Sequence, residues 1–320
     1  MAALDLGSNS AHLLVAQVLP GGHIRREATR KVKLRLAEPI VRQGRFGEEV
    51  RGRVLAAASD LVAHARKCGA GSLAVVATDA LRHAEDGHEL RTALVAEVGA
   101  EVRVLAGLEE AALAFRGMAA ALRNDAPLIG FDLGGGSLEI AYGRAGRFVS
   151  GASLPLGAAR VATRFDHDPP WLAERSTLHA EARAQVQDVA REIIGTYGDG
   201  SRMPPAAGTA GTIRDLGRLG LATAAGIEPE RVRGMVVTRA QLEVALARLL
   251  TVPAPERLNL PGVSGSRIDI LPAGGIVLLA AMDVLGMEQL QLCDWGLREG
   301  VVLDALSDQS IVSLADFGPM

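Results

Sequence analysis

The chain has 320 residues and a net charge of −3, with 48% hydrophobic, 22% charged and 3% aromatic residues. That length suits two domains with full-sized cores. The faint negative charge argues against a general nucleic-acid or membrane-surface binder, and so few aromatics argue against base-stacking platforms.

Ala2–Asp5 reads as a short buried strand. His12–Val18 continues apolar, turns at Pro20-Gly21-Gly22 and returns through His23–Arg30, a three-strand meander. Arg25, Arg26, Arg30, Lys31, Lys33 and Arg35 crowd this return and read as a solvated strand face. Glu48–Lys67 carries Val50, Val54, Leu55, Leu61 and Val62 near helical spacing. Leu73–Val76 reads as a strand, Glu89–Val98 as a helix, Val102–Leu105 as a strand and Leu108–Leu122 as a helix. Glu109 and Glu110 open that last helix, where the helix dipole favours negative charge.

Asn124–Pro127 marks a boundary, so domains at 1–125 and 126–295 are expected. The order then repeats. Leu128–Asp132, Leu138–Tyr142 and Phe148–Ser153 read as three strands, followed by helices at Leu156–Phe165 and Pro170–Tyr197. Met203–Ala207 is a strand running into Gly208-Thr209-Ala210-Gly211-Thr212, which opens a helix to Leu219. Arg239–Leu250 and Leu271–Leu285 are helices, Leu290–Leu292 a strand and Gly296–Leu306 a closing helix. Three meandering strands plus crossover helices, twice over, describe two mixed α/β sheets.

The N-terminus has no basic leader, and Asp5 interrupts it early, so no secretory signal is expected. The longest apolar run, Ile276–Met282, is too short to span a bilayer. Cys68 and Cys293 form no Cys-x-x-Cys pattern and read as buried apolar residues. A cytoplasmic protein without membrane or nucleic-acid partners is expected.

The chemistry concentrates in glycine-rich turns. Asp132–Ser137 reads Asp-Leu-Gly-Gly-Gly-Ser, between two strands. Asp5–Ser10 echoes it as Asp-Leu-Gly-Ser-Asn-Ser. Without a Cβ in the way, the N–H groups of such turns approach an anion closely. Two of them point to a duplicated domain with a phosphate cleft between the copies. Gly208–Thr212 adds free N–H groups at a helix start. Asp5, Asp132 and Glu139 follow or flank the turns and suit Mg²⁺ or Mn²⁺ beside phosphate oxygens. The only lysines are Lys31, Lys33 and Lys67, none after a glycine, so there is no Walker P-loop. Asp166-His167-Asp168 precedes Pro169-Pro170 and reads as a solvated loop rather than a metal cluster.

The sequence resembles the exopolyphosphatase / guanosine pentaphosphate phosphohydrolase family. The matching stretches are Asp5–Ser10, Thr78–Arg82, Glu109-Glu110-Ala111, Asp132–Glu139, Gly208–Thr212, Arg267–Pro272 and Leu297–Gly300, in family order. The resemblance implies a two-domain actin-like ATPase fold (sugar kinase–Hsp70–actin, ribonuclease H-like) with an interdomain active-site cleft. It also implies that the closing helix, about 296–306, packs back on the first domain. It assigns Glu110 as general base and Asp132 and Glu139 as metal-binding acids; the reading of the residues themselves adds Asp5, from the opposite domain, to hold a metal-bound water. Ser8, Asn9, Ser10, Gly134, Gly135, Gly136, Ser137, Gly208 and Thr209 fall in its phosphate turns. Arg82 matches a substrate-contacting arginine, and Arg35 and Arg267 are weaker matches. Asp86, Leu36-Ala37-Glu38-Pro39 and Ala106-Gly107 depart from the family pattern. The longer members' C-terminal helical domain is not expected here.

The function this implies is metal-dependent release of terminal phosphate from inorganic polyphosphate, preferably short chains. Guanosine pentaphosphate hydrolysis and a non-hydrolytic alarmone or polyphosphate sensor are the alternatives. A homodimer is a further expectation.

Overall fold

The computed structural model describes residues 1–20, 23–197, 203–226, 228–306 and 312–313. The glycines of the expected Pro20-Gly21-Gly22 turn lie outside them. In the first half, β1 (Ala2–Leu6), β2 (Ser10–Leu19) and β3 (His23–Lys33) form the meander. Next come α1 (Ala37–Gln43), α2 (Gly47–Lys67), β4 (Ser72–Ala77) and α3 (Asp79–His83). Then α4 (Gly87–Val98), β5 (Val102–Val104) and α5 (Gly107–Leu122) close this half.

In the second half, β6 (Leu128–Leu133), β7 (Leu138–Arg144) and β8 (Arg147–Leu154) repeat the meander. They lead to α6 (Ala158–Ala162), α7 (Leu172–Tyr197), β9 (Ala206–Thr209) and α8 (Ala210–Ala225). Then follow β10 (Val236–Thr238), α9 (Arg239–Leu249), α10 (Leu271–Val284) and β11 (Gln289–Leu292). The last elements are α11 (Leu297–Ala305) and β12 (Val312–Ser313).

The two sheets share one plan. In the first the order is β3-β2-β1-β4-β5, with β12 also on the outer edge of β4. In the second it is β8-β7-β6-β9-β11-β10. In each, a three-strand antiparallel meander continues into parallel strands reached by helical crossovers. This is the doubled ribonuclease H-like arrangement of the actin-like ATPase fold.

One face of the first sheet (Leu4, Leu6, Leu13, Val75) packs on α2 and α4 through Val54, Leu61, Leu90 and Leu94. Its other face (Ala3, Leu14, Val76) is covered by Leu113 of α5 and Val301 and Val302 of α11. The second sheet packs through Ile129, Phe131 and Ile140 on α7, α8, α9 and α10. Every residue of α10 from Leu271 to Met282 is buried, which explains a helix apolar all round. Among the described residues no helix is long and apolar enough to cross a membrane.

Helix α5 has two apolar faces. Leu113 serves the first sheet, while Ala111, Phe115, Met118 and Ala119 pack under Leu128, Ala141 and Ala207 of the second. It crosses α11 at glycines. A Cβ on Gly300 would lie 1.9 Å from the Leu113 carbonyl oxygen, and one on Gly117 2.1 Å from that of Gly296.

Several local expectations shift. α6 is confined to Ala158–Ala162, because the chain at Gly157 lies against the Gly136 backbone, its N–H donating to that carbonyl at 3.3 Å. α1, α3, β10 and β12 were not anticipated; each is short and carries little periodicity. Cys293 is buried, but Cys68 is exposed at the end of α2. Asp168 does not simply face water. It pairs with Arg257, which has no solvent exposure, and accepts the Ala254 N–H at 2.7 Å. Asp86 accepts the N–H groups of Phe46 and Gly47 at 2.9 and 3.0 Å, fastening the start of α2.

Candidate active site

The two glycine turns are built alike. Gly7 N–H donates to the Ser10 carbonyl at 3.2 Å, and Gly134 N–H to the Ser137 carbonyl at 3.1 Å. They face each other: a Cβ on Gly135 would lie 2.8 Å from the Asn9 Cβ. One on Gly136 would meet Ser8 Oγ and Asp79 Oδ2, each at 2.2 Å. Only glycine lets two backbones converge this way. Between them opens a cavity of about 140 Å³. At its far side β9 runs straight into α8 through Ala210, held at φ +68°. A non-glycine residue in that region carries strain, which accumulates at functional sites.

Strand register sets the side chains. Asp5 and Asp132 are each the penultimate residue of the first strand of their sheet. Asp5 stands opposite His12, and His12 opposite Lys31. Asp132 stands opposite Glu139, and Glu139 opposite Ser153. The duplicated rows have diverged: one is mixed in charge, the other acidic. All of these except Ser153 line the cavity.

Glu110, in the first turn of α5, joins them. Its carboxylate accepts from Arg82 at 3.3 Å. Burial, then Glu139, pushes its proton affinity well above the usual carboxylate range. Glu109 has a different task. It accepts the Ala106 N–H at 2.7 Å and pairs with Arg103 at 3.0 Å, so it secures the helix start.

Burial likewise raises Asp132 and Glu139, and lifts Asp5 to about 7 against the pull of Arg298. Glu139 Oε1 accepts from Ser153 Oγ at 2.7 Å, while Asp5 Oδ1 has no hydrogen-bond partner. Buried carboxylates that repel one another, with one oxygen orphaned, fit a bound cation. Among the described residues, however, no three acidic, histidine or cysteine side chains converge as a closed ligand cage. The set therefore suits Mg²⁺ or Mn²⁺ held by one or two carboxylates with phosphate oxygens completing the shell.

Of the remaining sequence-predicted residues, Ser8, Asn9, Ser10, Gly134, Ser137, Thr209 and Arg267 line the cavity. Arg267 also pairs with Asp215 at 3.0 Å. Gly208 does not line it and packs against Ile213 and Leu290. Arg82 sits behind Glu110 rather than on the wall. Arg35 is ion-paired to Asp269 across the cleft at 2.7 Å. A second bridge between the halves is half-buried: Arg160 of α6 to the buried Asp79 of α3, 2.7 Å.

Sequence reasoning missed His12, Lys31 and Arg214 as cavity residues. The basic run on β3 is not a uniform solvated face. Lys31 donates to Ser266 Oγ at 3.2 Å, and its proton affinity is lowered to about 8 by burial and Arg267. Arg26 binds Asp294 and Glu299. Arg257 was also missed. It donates to the Leu249 and Ile268 carbonyls, both at 2.9 Å, and so fixes the segment that carries Arg267.

The sequence profile of the Ppx/GppA phosphatase family matches residues 14–309. The chain belongs to the Ppx/GppA phosphatase family. Exopolyphosphatase 1 of Mycobacterium tuberculosis is similar to this family member at 30% identity over 312 residues, spanning 97% of this chain and 89% of its own. An uncharacterized protein of Streptomyces coelicolor is 36% identical over 318 residues, spanning 95% of this chain and 90% of its own. The crystal structure of an exopolyphosphatase from Cytophaga hutchinsonii superimposes with a TM-score of 0.85 at 22% identity, covering 96% of this chain and 97% of its own. The Aquifex aeolicus Ppx/GppA member gives 0.79 at 24%, covering 96% and 97%. At such identities these likenesses speak to the Ppx/GppA fold.

The buried acids of this Ppx/GppA protein carry a stability signature. With raised proton affinity, the folded chain holds protons that the unfolded chain has released. That stabilisation is complete below the ordinary carboxylate range and is lost as pH rises through the folded values, to about 7 for Asp5. Asp86, Glu109 and Asp294 have lowered affinities, so they act only at lower pH. His12 opposes this trend below about pH 6.5, because burial lowers its proton affinity, so in chelator the melting midpoint should fall between about pH 6.5 and about pH 8. A flat or rising midpoint would show that these acids are not buried as charges at risk.

Proposed function

We propose that this chain releases terminal orthophosphate from inorganic polyphosphate by base-assisted attack of water, with short chains preferred. The observation that supports this most is Glu110, a proton-avid buried carboxylate facing two opposed phosphate-cradling turns. The turn N–H groups, with Ser8, Asn9 and Ser137, would grip the terminal phosphate. Glu110 takes a proton from the attacking water, and Arg82 holds the Glu110 carboxylate in place. The water oxygen bonds to the terminal phosphorus as the bridging P–O bond breaks, and its electron pair stays on the shortened chain. Mg²⁺ or Mn²⁺, held by Asp132 and Glu139 with Asp5, would neutralise phosphate charge in this site.

Guanosine pentaphosphate is the second reading, and the family name admits it. The cavity lining contains no Phe, Tyr or Trp among the described residues, which favours a simple polyphosphate over a stacked base.

The test is phosphate release from short polyphosphate, long polyphosphate, ATP and guanosine pentaphosphate, side by side. Each is assayed with Mg²⁺, Mn²⁺ or EDTA. Short polyphosphate should be turned over fastest, and EDTA should abolish release. Preference for guanosine pentaphosphate would transfer the assignment to it; full activity in EDTA would remove the metal from the mechanism.

A further inference from the structure

Several arginines around the cleft are already engaged. Arg160 and Arg267 have carboxylate partners, and Arg257 is saturated by two carbonyls and Asp168. Two cavity-lining arginines differ. Arg214, near the start of α8, uses a single donor, its Nε reaching the Ala210 carbonyl of its own helix at 3.3 Å. Arg298, the second residue of α11, lies beside it. Among the described residues neither forms an ion pair. Arg214 is half-buried, and burial together with Arg267 and Arg298 weakens its hold on its proton. Cations that repel one another in a partly buried cleft, with guanidinium donors unused, are arranged for an anion.

The charges also run in order. Register sets Ser153 beside Glu139, Glu139 beside Asp132 and Asp132 beside Thr209. Against Ser153 packs Gly107, which opens the helix that carries Glu110; at the Thr209 end Arg214 reaches back to Ala210, and Gly296, two residues before Arg298, packs on Thr209. The row runs from base through acids to free arginines, so a chain attacked beside Glu110 would extend toward Arg214 and Arg298.

We infer that Arg214, with Arg298 beside it, binds the penultimate phosphate of the substrate and takes up the charge that develops on the leaving oxygen. This rests on the hydrolytic reading above. When the bridging P–O bond breaks, the electron pair remains on an oxygen facing these two guanidiniums, while the water proton goes to Glu110. Donors already aimed at developing charge lower the barrier without reorganising.

The inference is tested by binding and by stability as well as turnover. In a Glu110→Gln background, tripolyphosphate affinity is measured by calorimetry with Arg214 intact, Arg214→Lys and Arg214→Met. Loss of charge-assisted hydrogen bonds should weaken binding roughly 10- to 100-fold in Arg214→Met, with Arg214→Lys between. In the otherwise native enzyme, kcat should fall by roughly 10²-fold. Guanidinium ion should restore part of the activity of Arg214→Ala, and sodium ion should not. Without ligand, the melting midpoint of Arg214→Met should stay close to that of the parent, because Arg214 forms no ion pair among the described residues; a structural arginine would lower it. Unchanged tripolyphosphate affinity in Arg214→Met, or a lowered midpoint with no change in kcat, overturns the assignment. If the Arg214-intact parent itself binds no tripolyphosphate and the native enzyme hydrolyses none, the hydrolytic reading fails first and takes this inference with it.

Discussion

Glu110→Gln should lower turnover by roughly 10²–10⁴-fold while tripolyphosphate binding survives. The amide keeps the shape of the carboxylate, and its oxygen still accepts from Arg82. What disappears is the basic site that receives the water proton. The substitution also removes a negative charge next to Glu139, Asp5 and Asp132, so a polyanion should bind at least as well. Glu109→Gln is the control. Glu109 is half exposed and serves the Ala106 N–H and Arg103, so its loss should cost under about 1 kcal/mol of stability and little turnover. Near-normal turnover in Glu110→Gln, measured as phosphate release at saturating substrate, would remove Glu110 from the chemistry.

Gly300→Ala should be the most damaging small substitution in the molecule. The added methyl would sit 1.9 Å from the Leu113 carbonyl oxygen and 2.6 Å from its carbon, both backbone atoms of α5. Alanine's helix propensity would gain up to about 1 kcal/mol in an open helix. Here α11 must instead move off α5, taking Arg298 and Glu299 with it. Overpacking of this kind costs roughly 1–3 kcal/mol or more, read as a lowered urea midpoint. Gly52→Ala in α2 is the matched control, since nothing lies within 4 Å of its Cβ position. It should stabilise. If Gly300→Ala matched Gly52→Ala, the α5–α11 seam would be looser than these distances require.

Much of the site was legible because its chemistry is local in sequence. Asp5 and Asp132 each lie one residue before the end of a strand that runs into a glycine turn, and the capping role of Glu109 follows from its place at a helix start. His12 and Lys31 were not legible, because they reach the cavity only through the register that sets them beside Asp5. Arg214 was hidden for a related reason: a helix turns its fifth residue back toward its own N-terminus. Arg35 and Arg82 lie close to the cleft, but partners distant in sequence hold them, Asp269 for one and Glu110 for the other. No local pattern specifies a partner so far away along the chain.

The seating of α11 on the first sheet ties the maturation of that sheet to the order of synthesis. Its first five strands and α5 are complete by Leu122, yet Ala3, Leu14, Val76 and Leu113 lack their cover until Val301 and Val302 are made. At typical elongation speeds the ribosome needs about 10–35 s for the roughly 180 intervening residues. Throughout that interval the first half is a nascent sheet with one greasy face, and the second half must be spun out and folded beside it. A chain cut short just before α11 would thus lose more than a helix. It would expose this strip permanently, making premature termination a source of aggregates rather than of weakened enzyme.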